Sequence, residues 1–290
     1  MNMTNIERTE SSLSADDLKN IDAVVGYWKQ SFQQLKTLEM EVICTASKDN
    51  GVNVNNQLIY KGRFVYDAPK YYVQIQFADK KGVLGDVNTM GFDGDYYWRL
   101  SAQGNQKTLI KYPKDTEEPN IIFDITPFVL QFAFAFDFSA KKFLATLQEA
   151  QTWESLKRRI TRIDRSATSK EMIFSIEKGE NAISSDSAHE SYKVSVASGD
   201  TPTPVSWEMT TTQQKGMRVE FNTSQSKIYS PDSWPFPFPC RITTLAYLHN
   251  TLMHQYEMLV PENSLKINQP VDAAMFTPKP DKDTKIIDGD

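Results

Sequence analysis

Cysteine, histidine, surplus positive charge and long apolar runs are all in short supply in this 290-residue chain, and each shortage removes a class of protein. Two cysteines, Cys44 and Cys240, exclude a disulfide-dense scaffold. Both fall in expected strands, far apart in sequence, which leaves one disulfide and two separate buried thiols equally open. The three histidines are His189, His249 and His254. His249 and His254 are five apart, and an odd spacing in a continuous strand puts them on opposite faces, so no shared metal is expected unless a turn intervenes. No HExxH, paired CxxC, GxSxG or phosphate-loop pattern occurs. Neither catalytic residues nor a metal nor a cofactor is therefore expected, and a hydrolase built on Asp, Glu and His254 ranks third among the readings.

The net charge of −5 argues against nucleic-acid binding by counterion release. The basic run Lys157-Arg158-Arg159, with Arg162 and Arg165, is local and reads as one solvated strand face. The longest apolar run, Ile125 to Phe136, is interrupted by Thr126, Pro127 and Gln131 and falls well short of the ~20 residues of a membrane-spanning helix. The first 20 residues are polar and carry no apolar signal-peptide region as written. The expectation is a cytoplasmic protein or one whose leader has been removed.

What is present is a sharp change of period. Residues 1–13 read as a disordered lead-in. Ser14 then opens a helix, with Asp17 in capping-box spacing and Leu18, Ile21, Val25, Trp28, Phe32 and Leu35 forming one apolar stripe. From Leu38 the period becomes two: Met40, Val42 and Cys44 alternate with Glu39, Glu41 and Ile43, and Asp49-Asn50-Gly51 supplies a turn. Strands are expected over Leu58–Tyr66 up to Pro69, over Tyr71–Phe77, and on both sides of Asp93-Gly94. Later candidates are Leu156–Ile163, Glu171–Ile176, Tyr192–Ala197, Val205–Thr211, Met217–Ile228, Cys240–Leu248 and Met253–Leu259. A count near ten with short links predicts an antiparallel meander.

Two stretches interrupt the strands. Thr126 to Phe138 is helical in pattern, with Pro127 at the first position, and a second short helix is expected from Ser139 to Ala150. The first is apolar nearly all round and must be covered on more than one side, either as a plug in the concave face of a curved sheet or as a lid over an apolar cavity. Trp234-Pro235-Phe236-Pro237-Phe238-Pro239 loses every second backbone donor, which excludes a central strand. It reads as a rigid connection, or as an aromatic contact for a partner or membrane surface. At the C-terminal end, Leu265–Asn268 forms a short strand, Phe276 a buried aromatic, and Lys285–Asp288 an apolar pair before an acidic end. No internal repeat or linker stands out, so residues 14–290 read as a single domain.

This order of elements resembles the bacterial lipoprotein-carrier superfamily, the LolA/LolB-like fold that also includes LppX-type and RseB-type domains. The matching stretches are Trp28–Leu38, Lys61-Gly62-Arg63-Phe64 with Ala68-Pro69, Phe92-Asp93-Gly94 with Tyr97-Trp98, and Asn268–Asp288. The resemblance implies an α+β fold: a strongly curved antiparallel sheet of about ten strands, an unclosed half-barrel, with helices on its concave face. It also implies a periplasmic or cell-envelope location and a lipid or acylated protein as partner. In the founding carriers an arginine precedes the strand-breaking proline and latches the lid; Ala68 stands there in this chain, and Arg63 lies five residues earlier on the same strand. The chain is also longer in its second half. The cavity is expected to be lined by Trp28, Phe32, Phe64, Tyr72, Trp98, Phe128, Phe132 and Phe136, with no charged clamp for a head group. The expected function is non-enzymatic binding of a lipid or lipoprotein acyl chain, with peripheral membrane contact and no nucleic acid. The alternative is a protein-interaction or envelope-stress sensor module of RseB-like type with a filled concavity. The oligomeric state is left open.

Overall fold

The computed structural model describes residues 13–104, 106–114, 150–165, 171–177, 190–197, 199, 202, 204–211, 217–227 and 238–289. The expected helices over 126–138 and 139–149 lie outside these residues, as do Phe128, Phe132, Phe136 and the segment 234–237.

Helix α1 spans Ala15–Gln33. Ser14 caps it with a full capping box, its hydroxyl accepting from the Asp17 amide while the Asp17 carboxylate accepts from the Ser14 amide. Hydrogen bonds from Ser14 and the Arg165 guanidinium hold the Asp17 carboxyl below the usual carboxylate range. The apolar stripe is buried at Ile21, Val25, Trp28, Phe32 and Leu35, whereas Leu18, one turn from the end, is half exposed.

The described strands form one open sheet. They are β1 (Thr37–Asp49), β2 (Val52–Asp67), β3 (Lys70–Phe77), β4 (Asn88–Phe92), β5 (Tyr96–Gln103), β6 (Gln106–Pro113), β7 (Ile160–Arg165), β8 (Glu171–Glu177), β9 (Glu190–Ala197), β10 (Pro204–Thr211), β11 (Met217–Lys227), β12 (Phe238–Leu248), β13 (Thr251–Leu259), β14 (Lys266–Ile267) and β15 (Lys285–Asp288). Their order is β15-β6-β5-β4-β3-β2-β1-β13-β12-β11-β10-β9-β8-β7, with β14 added to β1. The path does not return on itself, so the sheet is an unclosed half-barrel, and β15 on β6 is its one parallel pairing. Two meanders are thus joined where the first strand meets the last long one, at β1 and β13.

The alternation set by the sequence decides the two faces. Leu38, Met40, Val42, Cys44 and Ala46 of β1 are buried, and register carries that concave row to Phe64 and Tyr66 of β2 and to Val73 and Tyr71 of β3. One core joins both meanders and α1, from Phe64 and Met90 to Phe174, Ile176, Val194 and Ile242.

Two expectations need correction. Leu156–Ile163 is not a continuous strand: Ala150–Arg159 is helix α2, and the strand starts at Ile160. Trp153 and Leu156, three apart and fully buried, show a helical spacing that a short window hides. Lys157, Arg158 and Arg159 form no strand face but occupy the last turn of α2, where the carbonyl ends favour cations. Lys157 also reaches Asp22 of α1 at 2.8 Å, and that contact raises its pKa. The second correction concerns the proline run. Phe238 and Pro239 belong to β12, an interior strand between β11 and β13. Pro239 is tolerated because it stands at the strand's start, where β11 pairs with it and the register to β13 begins only at Arg241. Strands β6 and β15 are additions to the expected meander, whereas β14 is the short strand expected at Leu265–Asn268.

Candidate functional site

The concave face is the candidate site, and α1 occupies its centre. Trp28 is buried and donates its indole N–H to the Pro202 carbonyl at 2.6 Å, tying the helix to the β9–β10 connection. Its ring meets Phe174 edge-on at 6.5 Å, and Phe32 stacks on Trp153 of α2 at 6.0 Å. Phe64 lies buried on β2 in the same core. Trp28, Phe32 and Phe64 therefore share one core and are covered by protein.

Tyr72 and Trp98 are not with them. Register sets Val65, Tyr72, Gly91 and Trp98 in one row, offset by one residue from the concave row of Phe64, Val73 and Met90. A single step along a strand reverses the face, so these two rings lie on the convex side. There the C-terminal segment crosses the sheet as a strap. Trp98 donates its indole N–H to the Phe276 carbonyl at 2.8 Å, and Phe276 is 1% exposed. The Trp98 ring lies over Gly91, where an added Cβ would sit 2.8 Å from it and 2.6 Å from the Tyr71 carbonyl oxygen. Two shallow grooves flank the strap. One of about 300 Å³ is lined by Tyr72, Thr89, Trp98, Leu100, Met275 and Lys279. The other, of about 190 Å³, lies beside Tyr96, Leu109, Lys111, Pro280 and Ile286.

Arg63, noted beside the absent latch arginine, serves the convex side as well. Its guanidinium and the Lys266 ammonium both hold Glu39, Lys266 at 3.0 Å. Burial pushes the Glu39 carboxyl up, but hydrogen bonds from Lys266 and Arg63 outweigh it and keep the pKa below the usual value. Burial raises the Tyr72 phenol, which hydrogen-bonds the Gln74 side chain at 3.0 Å. Tyr66 is pushed up to about 12 by burial and by the Asp67 charge.

A polar group that sequence reasoning missed sits on the concave face of β13. His254 Nδ1 lies 2.7 Å from Asp49 Oδ1 and 3.2 Å from the Tyr256 hydroxyl, and the two rings stack at 5.8 Å. Tyr256 is opposite Ala46 on β1 and opposite Thr244 on β12, in the row that packs against the core. The spacing of His254 to Tyr256 marks a shared face, but the approach of Asp49 depends on the bulge between Ala46 and Lys48. His249 lies in the β12–β13 turn at φ +48°, so a turn does separate the two histidines. No group of three metal-ligating side chains occurs among the described residues. Cys44 and Cys240 are not joined in a disulfide.

No family model matches the chain, and no curated protein matches it in sequence. Solved structures do share its shape. A DUF1329 family protein from Desulfovibrio piger superposes with a TM-score of 0.50 at 9% identity, covering 90% of this chain and 97% of its own. A LolA superfamily protein from Nitrosomonas europaea, NE2245, gives a TM-score of 0.49 at 9% identity over 88% of this chain and 97% of that one. The shared shape shows the fold alone, an unclosed antiparallel sheet with helices packed on it, as expected. At such low identity the likeness extends to architecture alone.

Proposed function

We propose that this chain is a non-enzymatic carrier-like protein of the cell envelope that holds a lipid or a lipoprotein acyl chain against its concave face. The observation that carries the reading is the shape and chemistry of that face: an unclosed sheet whose inner rows are apolar in both meanders, from Met40 and Phe64 to Phe174 and Val194. Such a surface gains about 25 cal/mol for each Å² of apolar area an acyl chain removes from water. Trp28, Phe32 and Phe64, with Phe128, Phe132 and Phe136, are the proposed lining; Tyr72 and Trp98 belong to the strap side and leave that set. A periplasmic location and contact with a membrane surface follow from the same reading. No helix among the described residues is long and apolar enough to cross a membrane.

A second reading, an interaction module with a filled concavity, is favoured by one observation. Trp28 and Phe32 are already buried against Phe174 and Trp153, so α1 itself fills part of the trough.

Native mass spectrometry of protein purified from its own host, followed by solvent extraction, separates the two. A stoichiometric acyl lipid or lipoprotein, lost when Phe132 and Phe136 are made charged, supports the carrier. An apo mass, with no uptake of a fluorescent fatty acid, overturns it in favour of a protein partner.

A further inference from the structure

Among the described residues the concave face carries a polar cluster beside apolar side chains, and its hydrogen-bonding valences are incompletely used. A carboxylate only accepts, so the 2.7 Å contact with Asp49 requires the proton of His254 to sit on Nδ1. The same N–H is shared with the Tyr256 oxygen at 3.2 Å, which leaves the phenol O–H to donate elsewhere. Burial, with the nearby Asp49 and Cys44, raises the Tyr256 pKa, so that proton is retained at physiological pH. In the neutral imidazole with its proton on Nδ1, Nε2 offers a lone pair. Directly across the β12–β13 pairing from Tyr256, Thr244 Oγ1 is buried and has no hydrogen-bond partner among the described residues. A buried hydroxyl without a partner costs about 1–3 kcal/mol, so a site that leaves one is prepared for a guest that satisfies it.

The cluster lies at the rim of the half-barrel. Asp49 is half exposed and the His254 side chain is 32% exposed, whereas Met258 and Ile242, deeper on the same face, are buried. Water reaches one end of the row and apolar surface continues from the other. Among the described residues no cation joins the cluster: Arg241 and Arg218, on the neighbouring strands, alternate to the convex face with Glu257 and Glu220. An anionic head placed here would meet the Asp49 carboxylate with no compensating charge beside it among the described residues.

Resting on the carrier reading, we propose that Thr244, Tyr256 and the Asp49-supported His254 form a polar-head site for a neutral, hydroxyl-bearing acyl lipid of the acylglycerol class. A glycerol hydroxyl would donate to His254 Nε2, while Thr244 and Tyr256 donate to the hydroxyl or ester oxygens. The acyl chain would point inward from the rim, toward the apolar end of the row where Ala46, Ile242 and Met258 are buried.

The test compares a monoacylglycerol with the free fatty acid of the same chain length, each displacing a fluorescent acyl probe from the full chain. Wild type is expected to prefer the monoacylglycerol at least about ten-fold. Thr244→Val and His254→Phe should each lower monoacylglycerol affinity about ten-fold and leave the fatty acid within about two-fold. Thr244→Ser, which keeps the hydroxyl, should restore the preference and shows that loss in the valine variant is not misfolding. If both ligands bind but with equal affinity, or the variants leave their ratio unchanged, the head site is wrong and the carrier reading stands. If neither ligand displaces the probe, or the probe itself does not bind, the carrier reading has failed and the head site with it.

Discussion

The two faces of this sheet are made by the same strands yet solve different problems. The concave face is mainly apolar, with a polar cluster at its β13 rim, and is covered by α1 and α2, whose aromatic rings join both meanders into one core. The convex face carries charge pairs: Arg241 with Glu257 and Glu39 held by Arg63 and Lys266 across strands, and Arg218 with Glu220 along β11. It needs cover only where Val65, Trp98 and Leu109 are buried, and the strap bearing Phe276 provides it. The lesson is that two residues apart along a strand means the same environment and one residue apart means the opposite one. Phe64 and Val65 are adjacent and both buried, but in separate cores.

The comparison breaks most sharply from the concave side. Trp153→Ala removes a fully buried ring that stacks on Phe32, and should cost about 3–5 kcal/mol, with both meanders losing amide protection together in hydrogen exchange. Phe276→Ala should cost less, about 3 kcal/mol, and its effect should stay on the convex side: exchange rises at β6 and β15 while β1 and β2 remain protected. Uniform loss of protection in that variant would abolish the distinction between two cores. Gly91→Ala should cost about 1–3 kcal/mol, because the new methyl meets the Trp98 ring and the Tyr71 carbonyl, and Trp98 fluorescence should report the shift.

Glu39→Gln sharpens the electrostatic side. Its carboxyl pKa is lowered on folding, so its contribution is present above the unfolded value of about 4.5 and disappears as pH falls through the lower folded value. The variant should lose about 1–2 kcal/mol at pH 7 by chemical denaturation, and the gap to wild type should close on acidification below pH ~4. A gap independent of pH would refute the role given to Arg63 and Lys266. The smallest effect is expected at the strap's surface pair, Lys107 and Asp281 at 2.6 Å, where Lys107→Ala should leave the melting temperature unchanged within error.

How much of this was legible depends on the distance over which each feature is written. The α1 stripe and its capping box are local signals, and they were read correctly apart from the exposed Leu18. The β1 alternation and the Asp93-Gly94 hairpin were equally plain: Asp93 Oδ1 accepts from the Asp95 and Tyr96 amides and Gly94 takes φ +111°. Leu156–Arg159 was misread because four residues of an apolar-basic sequence fit either period, and only the packing of Trp153 of α2 on Phe32 of α1 decides for helix. Tyr72 and Trp98 were grouped with Phe64 because aromatic content is visible in sequence while the face it points to requires the register of several strands. The Asp49–His254–Tyr256–Thr244 cluster was invisible for the same reason: its members come from three strands and a bulge.

By itself the sequence determined the period of each segment, its ends and its turns, because these rest on interactions within a few residues. It also determined that the chain would be a meander of strands with a buried amphipathic helix, since period and order carry that much. The tertiary structure alone decided which strands meet at the β1–β13 seam, which aromatic rings share a core, and which polar side chains converge on the concave rim. Pairing register adds contributions from residues some two hundred positions apart, and no local pattern encodes that sum.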